Sequence, residues 1–186
     1  MKRNIVIATL TAAALATGGT VTAFAAGNDD DRTATSTSAS TVTAADAISA
    51  ALKHTSGTAL SADLGDDGAD AWEVTVVKGD GTEYDVRVAA DSGKVLGASR
   101  DTDDGDDRDG DDRAEFAAVK GAKTDAREAA LAAAAHGTVT EVGLDDDKGS
   151  VTAWSVDTVK DGKQGEWTVD LATGKVTQDH EDGDDD

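Results

Sequence analysis

The sequence contains no cysteine and no proline, and only 3% of its residues are aromatic. Without cysteine the chain can form no disulfide and carry no lipid on a cysteine, so packing alone must stabilise it. The absence of proline argues against a polyproline stalk that would span a cell wall. Whatever fold forms must therefore join its elements through glycine and aspartate turns, and it can rely on only a few large side chains.

Basic residues are also scarce, because 17 lysines and arginines stand against 38 acidic residues and give a formal net charge of -21. A chain with this charge repels nucleic acid and anionic lipid, which argues against both as partners. The charge keeps the protein soluble, and it can also attract cations or a basic partner protein. Composition alone does not rank these two kinds of partner.

The first 25 residues have the pattern of a secretory signal peptide. Lys2 and Arg3 precede an uncharged stretch over residues 5–16, and the triplet Ala23-Phe24-Ala25 suits cleavage after Ala25. The apolar run is shorter than the roughly 20 residues that cross a bilayer, which favours a cleaved signal over a retained anchor. We therefore expect a secreted protein of the extracellular space or cell envelope that does not contact the membrane once the signal is removed.

Three segments lack the apolar periodicity of a packed element. They are a spacer at 26–41, rich in serine, threonine, alanine and aspartate, an acidic linker at 99–121, and an acidic tail at 179–186. Such compositions bury too little apolar surface to offset the entropy of ordering, so we predict disorder there. The remaining residues form two stretches, 42–98 and 122–178.

The two stretches repeat one order of elements. Each begins with an alanine-rich helical pattern behind a threonine cap, Thr43 in the first copy and Thr124 in the second, and we expect these helices to end at Gly57 and Gly137. A short strand pattern follows, and then two strands with apolar residues at every second position, joined by a glycine-containing turn. The sequence thus predicts an α+β fold of two tandem modules, each with one helix on an antiparallel sheet of three to four strands.

Tryptophans anchor the strand patterns. Trp72, Trp154 and Trp167 alternate with polar residues and share a face with valines, which predicts that they lie in the core under the helix. An alternative is that they form a surface platform for a ligand. Periodicity favours the core.

The exit from the second hairpin carries the most specific pattern. Gly174 is placed to adopt a positive backbone angle, and Asp170 or Thr173 can bind nearby amides, so we interpret this repeated phrase as a folding device. In this pattern the chain resembles the PepSY domain family, and two copies in order strengthen the resemblance. The first copy departs from the family at Ala89, which stands where the second has Asp170. The matching residues are Tyr84, Val86, Val88, Ser92, Gly93, Lys94 and Val95 in the first copy, and Trp167, Val169, Asp170, Thr173, Gly174, Lys175 and Val176 in the second.

No catalytic or cofactor motif accompanies the modules. His54 and His136 are expected in the last turn of the helices, where they suit the exposed carbonyl groups, and His180 falls in the acidic tail. An EF-hand ending at Glu115 fails because Arg108 and Asp109 occupy the positions that require an acid and a glycine. We therefore predict no enzyme activity, no cofactor, no catalytic residue and no specific metal site. Weak, diffuse binding of divalent cations by the aspartate runs stays open on charge alone.

The resemblance implies a role in regulating other proteins, because PepSY domains occur in propeptides of secreted peptidases and in small envelope proteins. No catalytic domain follows the modules, so any inhibition of a peptidase would act in trans. We expect a secreted protein that binds a protein partner, a secreted peptidase or an envelope sensor, through residues the sequence does not identify. The alternative is an acidic cation-binding or wall-associated protein in which the modules are spacers. The sequence leaves open whether the modules touch each other.

Overall fold

The computed structural model of the chain describes residues 41–65, 70–101, 111–145 and 151–179, with only the backbone described for 111–115. These residues belong to one compact unit spanning 37–186. Several predicted segments lie outside the described residues: the signal peptide at 1–25, spacer residues 26–40, linker residues 102–110 and tail residues 180–186.

Both copies show the predicted order of a helix followed by strands. The first copy contains α1 (Ala44–His54), β1 (Thr58–Leu64), β2 (Ala71–Val77), β3 (Glu83–Ala89) and β4 (Val95–Arg100). A connecting helix, α2 (Asp111–Lys120), follows. The second copy contains α3 (Ala126–Ala133), β5 (Thr138–Asp145), β6 (Ala153–Lys160), β7 (Lys163–Asp170) and β8 (Val176–Gln178).

Helix α1 begins at the predicted cap. The Thr43 side chain accepts a hydrogen bond from the amide of Asp46 at 3.2 Å, which satisfies one of the free amides of the first turn. The helix ends at His54, short of the expected Gly57. Gly57 lies where the chain passes close to β2, and a side chain does not fit there because a Cβ would come within 2.5 Å of the Val77 carbonyl oxygen. Small side chains let this helix lie close to the sheet. Its buried residues are Ala44, Ala45, Ala47, Ile48 and Ala51.

Helix α3 differs from the prediction at both ends. Its cap is Asp125 and not Thr124, because the Asp125 carboxylate accepts a hydrogen bond from the Glu128 amide while the Glu128 carboxylate accepts one from the Asp125 amide. The helix ends at Ala133, short of Gly137. Thr124 instead contributes its carbonyl oxygen to the core, as described next.

Each tryptophan that opens a central strand is buried with its indole N–H paired. Trp72 donates to the carbonyl oxygen of Val42 at 3.0 Å, and Trp154 donates to that of Thr124 at 2.9 Å. Both acceptors lie just before the helix of their copy, so each indole ties a helix start to the sheet. Because a buried indole N–H needs a partner, the same contact in both copies shows that the repeat extends to the core hydrogen bonds.

The strands form one continuous antiparallel sheet of eight, in the order β4-β3-β2-β1-β5-β6-β7-β8. The prediction of two separate small sheets is therefore wrong in this respect. The two copies join where β1 pairs with β5, with Ala62 opposite Val142 and Asp63 opposite Glu141. Ala62 and Val142 hold equivalent places after Gly57 and Gly137, so the two copies pair through the same position of their first strands. The pairing covers the edges that two isolated sheets would each expose.

The helices of the two copies also contact each other on the inner face of the sheet. Helices α1 and α3 contact each other, and Arg127 Nε donates a hydrogen bond to Ser49 Oγ at 2.9 Å across the junction. The buried apolar residues of both copies form one cluster. A module of about 55 residues is only marginally able to hold itself together, and a shared core raises the fraction of surface that each copy buries.

The predicted acidic linker at 99–121 is partly structured. Strand β4 extends to Arg100, and residues 111–120 form helix α2, which packs against β1. Val119 on this helix is buried and Phe116 is half-buried. Lys120 lies in the last turn of α2, where a positive charge complements the helix dipole. The prediction treated the whole of 99–121 as acidic and disordered because of its aspartate run, and so missed the helix formed by its more apolar end.

Candidate interaction surface

Side-chain alternation divides the sheet into an inner and an outer face. On the inner face Trp72, Val74 and Val76 lie opposite Val88, Val86 and Tyr84 and pack under the helices. The prediction that the tryptophans belong to the core is confirmed for Trp72 and Trp154, which are at most 1% exposed. Trp167 shares this face but is only half-buried.

The outer face carries every acidic residue of the strands. Cross-strand pairing places them all on the side opposite to the tryptophans, and Arg87 is the one basic residue among the strand positions of this face. Charge in the described strands is therefore segregated by face: the helices cover the inner face, and alternation in this acid-rich chain gives the outer face charge of almost one sign. The acidic residues are Asp63, Glu73, Glu83, Asp85, Glu141, Asp145, Asp157, Glu166 and Asp170.

Five of these carboxylates form a continuous row across five neighbouring strands, and we call it the acidic row. Each member lies directly opposite the next in the sheet register. Like charges directly opposite one another destabilise a sheet, since their Cβ atoms are only about 4.5–5.5 Å apart. A local arrangement that opposes stability makes this row a candidate functional surface. In order from β2 to β7, the row is Glu73, Asp63, Glu141, Asp157 and Glu166.

Two carboxyl groups on this face have raised pKa values. Burial raises the pKa of Asp157. Burial, and then the negative charge of Glu73, raise the pKa of Asp85, against the hydrogen bond that Thr75 donates to it at 3.2 Å. Both groups are partly buried between neighbouring strands, so the sheet holds negative charge there at a cost in solvation.

The turn that ends the second hairpin has the predicted geometry. Gly174 has a φ of 68° and its counterpart Gly93 has a φ of 69°. Asp170 Oδ1 accepts hydrogen bonds from the Thr173 amide at 2.8 Å and from Thr173 Oγ1 at 2.6 Å, and these bonds lower the pKa of Asp170. This turn sequence therefore has a structural role in the fold. In the first copy Ala89 stands at the position of Asp170, so the equivalent turn lacks such a carboxylate.

The histidines occupy different environments. His54 is the last residue of α1, as predicted, with Nδ1 3.1 Å from Thr55 Oγ1. His136 lies beyond the end of α3, which corrects the expectation that it belongs to the last helical turn. Its ring stacks on Trp167, with centroids 3.8 Å apart and planes 19° apart. His180 lies outside the described residues.

In the described part of the chain, no three histidine or acidic side chains are arranged to hold a metal ion. The run tested against the EF-hand pattern lies largely in the residues that are not described. The outer face is what sequence reasoning missed: each strand showed polar residues at alternate positions, but only the register shows that they align as one acidic row.

Within the described residues, no helix is long and apolar enough to span a bilayer.

Comparison with known proteins gives one similar structure, the crystal structure of a candidate lipoprotein from Clostridium difficile 630. It is 25% identical in sequence, the match covers 74% of this chain and 93% of that chain, and the TM-score is 0.44. No curated protein matches the chain. The family model described as "Peptidase propeptide and YPEB domain" matches residues 41–98 and 120–180, which cover both copies from helix to last strand. The chain therefore belongs to the PepSY family and carries two tandem PepSY domains.

Proposed function

We propose that this protein is a non-enzymatic PepSY protein, secreted to the cell envelope or the extracellular space, that binds a basic protein partner through the outer face of its sheet. The observation that carries the proposal is the segregation of all acidic strand residues onto that face. A face with one sign of charge attracts an oppositely charged partner and orients it during encounter.

The partner class follows from the family and the predicted export signal. The description of the family names peptidase propeptides, so a secreted peptidase is the first candidate and an envelope sensor the second. We expect such binding to regulate the partner in trans, as a protein separate from this chain.

The test compares two variants with equal loss of charge. Asp63→Asn/Glu141→Gln neutralises the centre of the acidic row, whereas Asp91→Asn/Asp161→Asn neutralises two turn residues away from it. Each immobilised protein is incubated with culture supernatant of the source organism, and captured proteins are identified by mass spectrometry and assayed for peptidase activity. We expect a basic protein that the parent and the turn variant capture and the row variant loses. Equal capture by all three would contradict the proposal.

Salt and calcium separate this function from the alternative of cation binding. Capture through the acidic row should weaken steeply as salt is raised, because exposed charges are screened within about 10 Å at 0.1 M. Calorimetric titration of the mature protein with calcium should show no saturable site. Stoichiometric calcium binding that is lost when residues 101–112 are replaced by glycine and serine, together with loss of partner capture, would favour the cation-binding alternative.

A further inference from the structure

The sheet ends on one side at β4, which is exposed along nearly its whole length. Every residue from Leu96 to Arg100 is exposed, and Leu96, at 54%, is one of two large apolar side chains open to solvent in the described residues. Among the described strands, β4 pairs only with β3. An edge strand of this kind offers a row of backbone groups to an added strand.

The hydrogen-bonding pattern shows which backbone groups face outward. The Asp101 amide donates to the Glu83 carbonyl oxygen at 3.1 Å, so these two residues form a hydrogen-bonded pair. Hydrogen-bonded and non-hydrogen-bonded pairs alternate in an antiparallel ladder. The pairs Tyr84–Arg100 and Val86–Ala98 are therefore non-hydrogen-bonded. The N–H and C=O groups of Arg100 and Ala98 consequently point away from β3, toward the open edge.

The opposite edge of the sheet, formed by β8, has a shorter strand available for pairing. Strand β8 has three residues, and Gln178 lies opposite Trp167 as Ala98 lies opposite Val86. Of the two edges, β4 is twice as long and therefore presents the longer template for pairing.

Charge around β4 determines what kind of strand would fit. On the outer side of this edge lie the carboxylates of Glu83, Asp85 and Asp101, which outnumber the basic side chain of Arg87 opposite Gly97. The exposed Arg100 side chain lies on the inner side. An added strand alternates its side chains between the two faces. Basic side chains are therefore favoured on its outer side, and small apolar side chains on its inner side.

We propose that β4 accepts an extended segment of the partner as a ninth strand, with basic residues at alternate positions. This inference rests on the proposed function and specifies how the partner binds. The acidic outer face attracts and orients the basic side of the segment, and the outward backbone groups of Ala98 and Arg100 hold it by main-chain hydrogen bonds.

The probe is a nine-residue synthetic peptide in which lysine and valine alternate, labelled for fluorescence anisotropy and titrated at low salt. Ala98→Pro removes an outward donor and no bond of the β3–β4 ladder, and proline is tolerated on edge strands. Gln178→Pro makes the matched change on β8. We expect Ala98→Pro to weaken peptide binding about tenfold and Gln178→Pro to leave it within about twofold. Equal effects of the two changes, or no effect of Ala98→Pro, would overturn the proposal.

Amide exchange gives a second readout that needs no variant. Bound peptide should slow exchange of the Ala98 and Arg100 amides in the parent protein and leave the Gln178 amide unchanged.

A peptide with the same composition but its lysines in one block should bind at least tenfold more weakly, because it cannot place its charges on one side. If the block peptide binds equally well, or if only Asp63→Asn/Glu141→Gln weakens binding, strand addition is wrong while the proposed acidic contact stands. If neither that variant nor salt affects partner capture, the proposed function itself fails.

Discussion

The two PepSY domains fill equivalent positions of the inner face with different side chains. At the end of the inner face farthest from the buried tryptophans, the first copy has Val76, Tyr84 and Val86, and Lys78 Nζ lies 4.0 Å from the centre of the Tyr84 ring. The strand register puts Thr158, Gly165 and Trp167 in the same places of the second copy. Val156 lies opposite Trp167, as Val74 lies opposite Val86.

The aromatic ring has therefore moved two residues along the strand without leaving its face. Gly165 makes room for it, because a Cβ there would come within 3.2 Å of Trp167 Nε1. Thr158 supplies the acceptor that the indole needs, since Trp167 Nε1 donates to Thr158 Oγ1 at 2.9 Å. Cores tolerate several simultaneous substitutions when the total volume is kept, and the comparison shows such an exchange within one chain.

The largest expected effect tests whether the copies are one folding unit. Trp72→Ala and Trp154→Ala should each lower the free energy of unfolding by about 3–5 kcal/mol, because each leaves a large cavity in the shared core. Urea unfolding followed by circular dichroism should show one transition in both variants. Leu131→Ala, at a position 51% exposed, is the control and should change stability by less than about 0.5 kcal/mol. Two separate transitions in either tryptophan variant would show that the copies fold independently.

The next effect distinguishes the two glycines that follow the helices. A Cβ on Gly57 would lie 2.5 Å from the Val77 carbonyl oxygen and 2.7 Å from Val76 Cγ1, whereas one on Gly137 would approach no atom closer than 3.0 Å. Gly57→Ala should therefore cost about 1–3 kcal/mol through overpacking, and Gly137→Ala less. Gly79→Ala, which meets no atom within 4 Å, is the control for the change in composition. Thermal unfolding measures all three, and equal losses at Gly57 and Gly137 would contradict the difference in packing.

These contrasts also show how far the sequence predicts the fold. The hairpins and the exit turns follow from apolar residues at every second position and from glycines such as Gly174, because strand alternation and positive backbone angles are local properties. The caps were partly predictable: Thr43 was identified, but the reciprocal pair of Asp125 and Glu128 was passed over for Thr124. The helix pattern therefore located the second helix but not its first residue.

The union of the two sheets could not be predicted, because it depends on how distant segments meet. Strand β5 has imperfect alternation, and the contact of Ala62 with Val142 involves no distinctive residue type. The acidic row was missed for the same reason, since its members lie far apart in the sequence and become neighbours only through the register. Local patterns determine the elements, whereas long-range pairing determines the candidate surface.

A smaller effect concerns the polar pair found only in the second copy. Thr158→Val keeps the side-chain shape but removes the acceptor of the Trp167 indole, and should cost about 0.5–1.5 kcal/mol. The double-mutant cycle with Trp167→Phe provides the control, because Phe has no N–H to leave unpaired. Chemical denaturation should show that Thr158→Val costs less in the Trp167→Phe background. An undiminished cost there would mean that the hydrogen bond from Thr158 Oγ1 to the Gly165 carbonyl oxygen at 3.2 Å dominates instead.

The smallest effect, and the one that tests the acidic row directly, is the pH dependence of Asp157→Asn. Burial raises the pKa of Asp157, so the folded protein binds this proton more tightly than the unfolded chain, and stability increases as pH falls through the raised value. Removing the charge should therefore raise the thermal midpoint at neutral pH, with the gain disappearing in acid. Asp170→Asn should do the opposite, because hydrogen bonds from Thr173 lower the pKa of Asp170: it should destabilise at neutral pH, and the loss should vanish as pH falls through that lowered value. If midpoints measured from pH 3 to pH 8 show that Asp157→Asn lowers the thermal midpoint at neutral pH, then Asp157 stabilises the sheet, and the argument that the row is kept at a cost is removed.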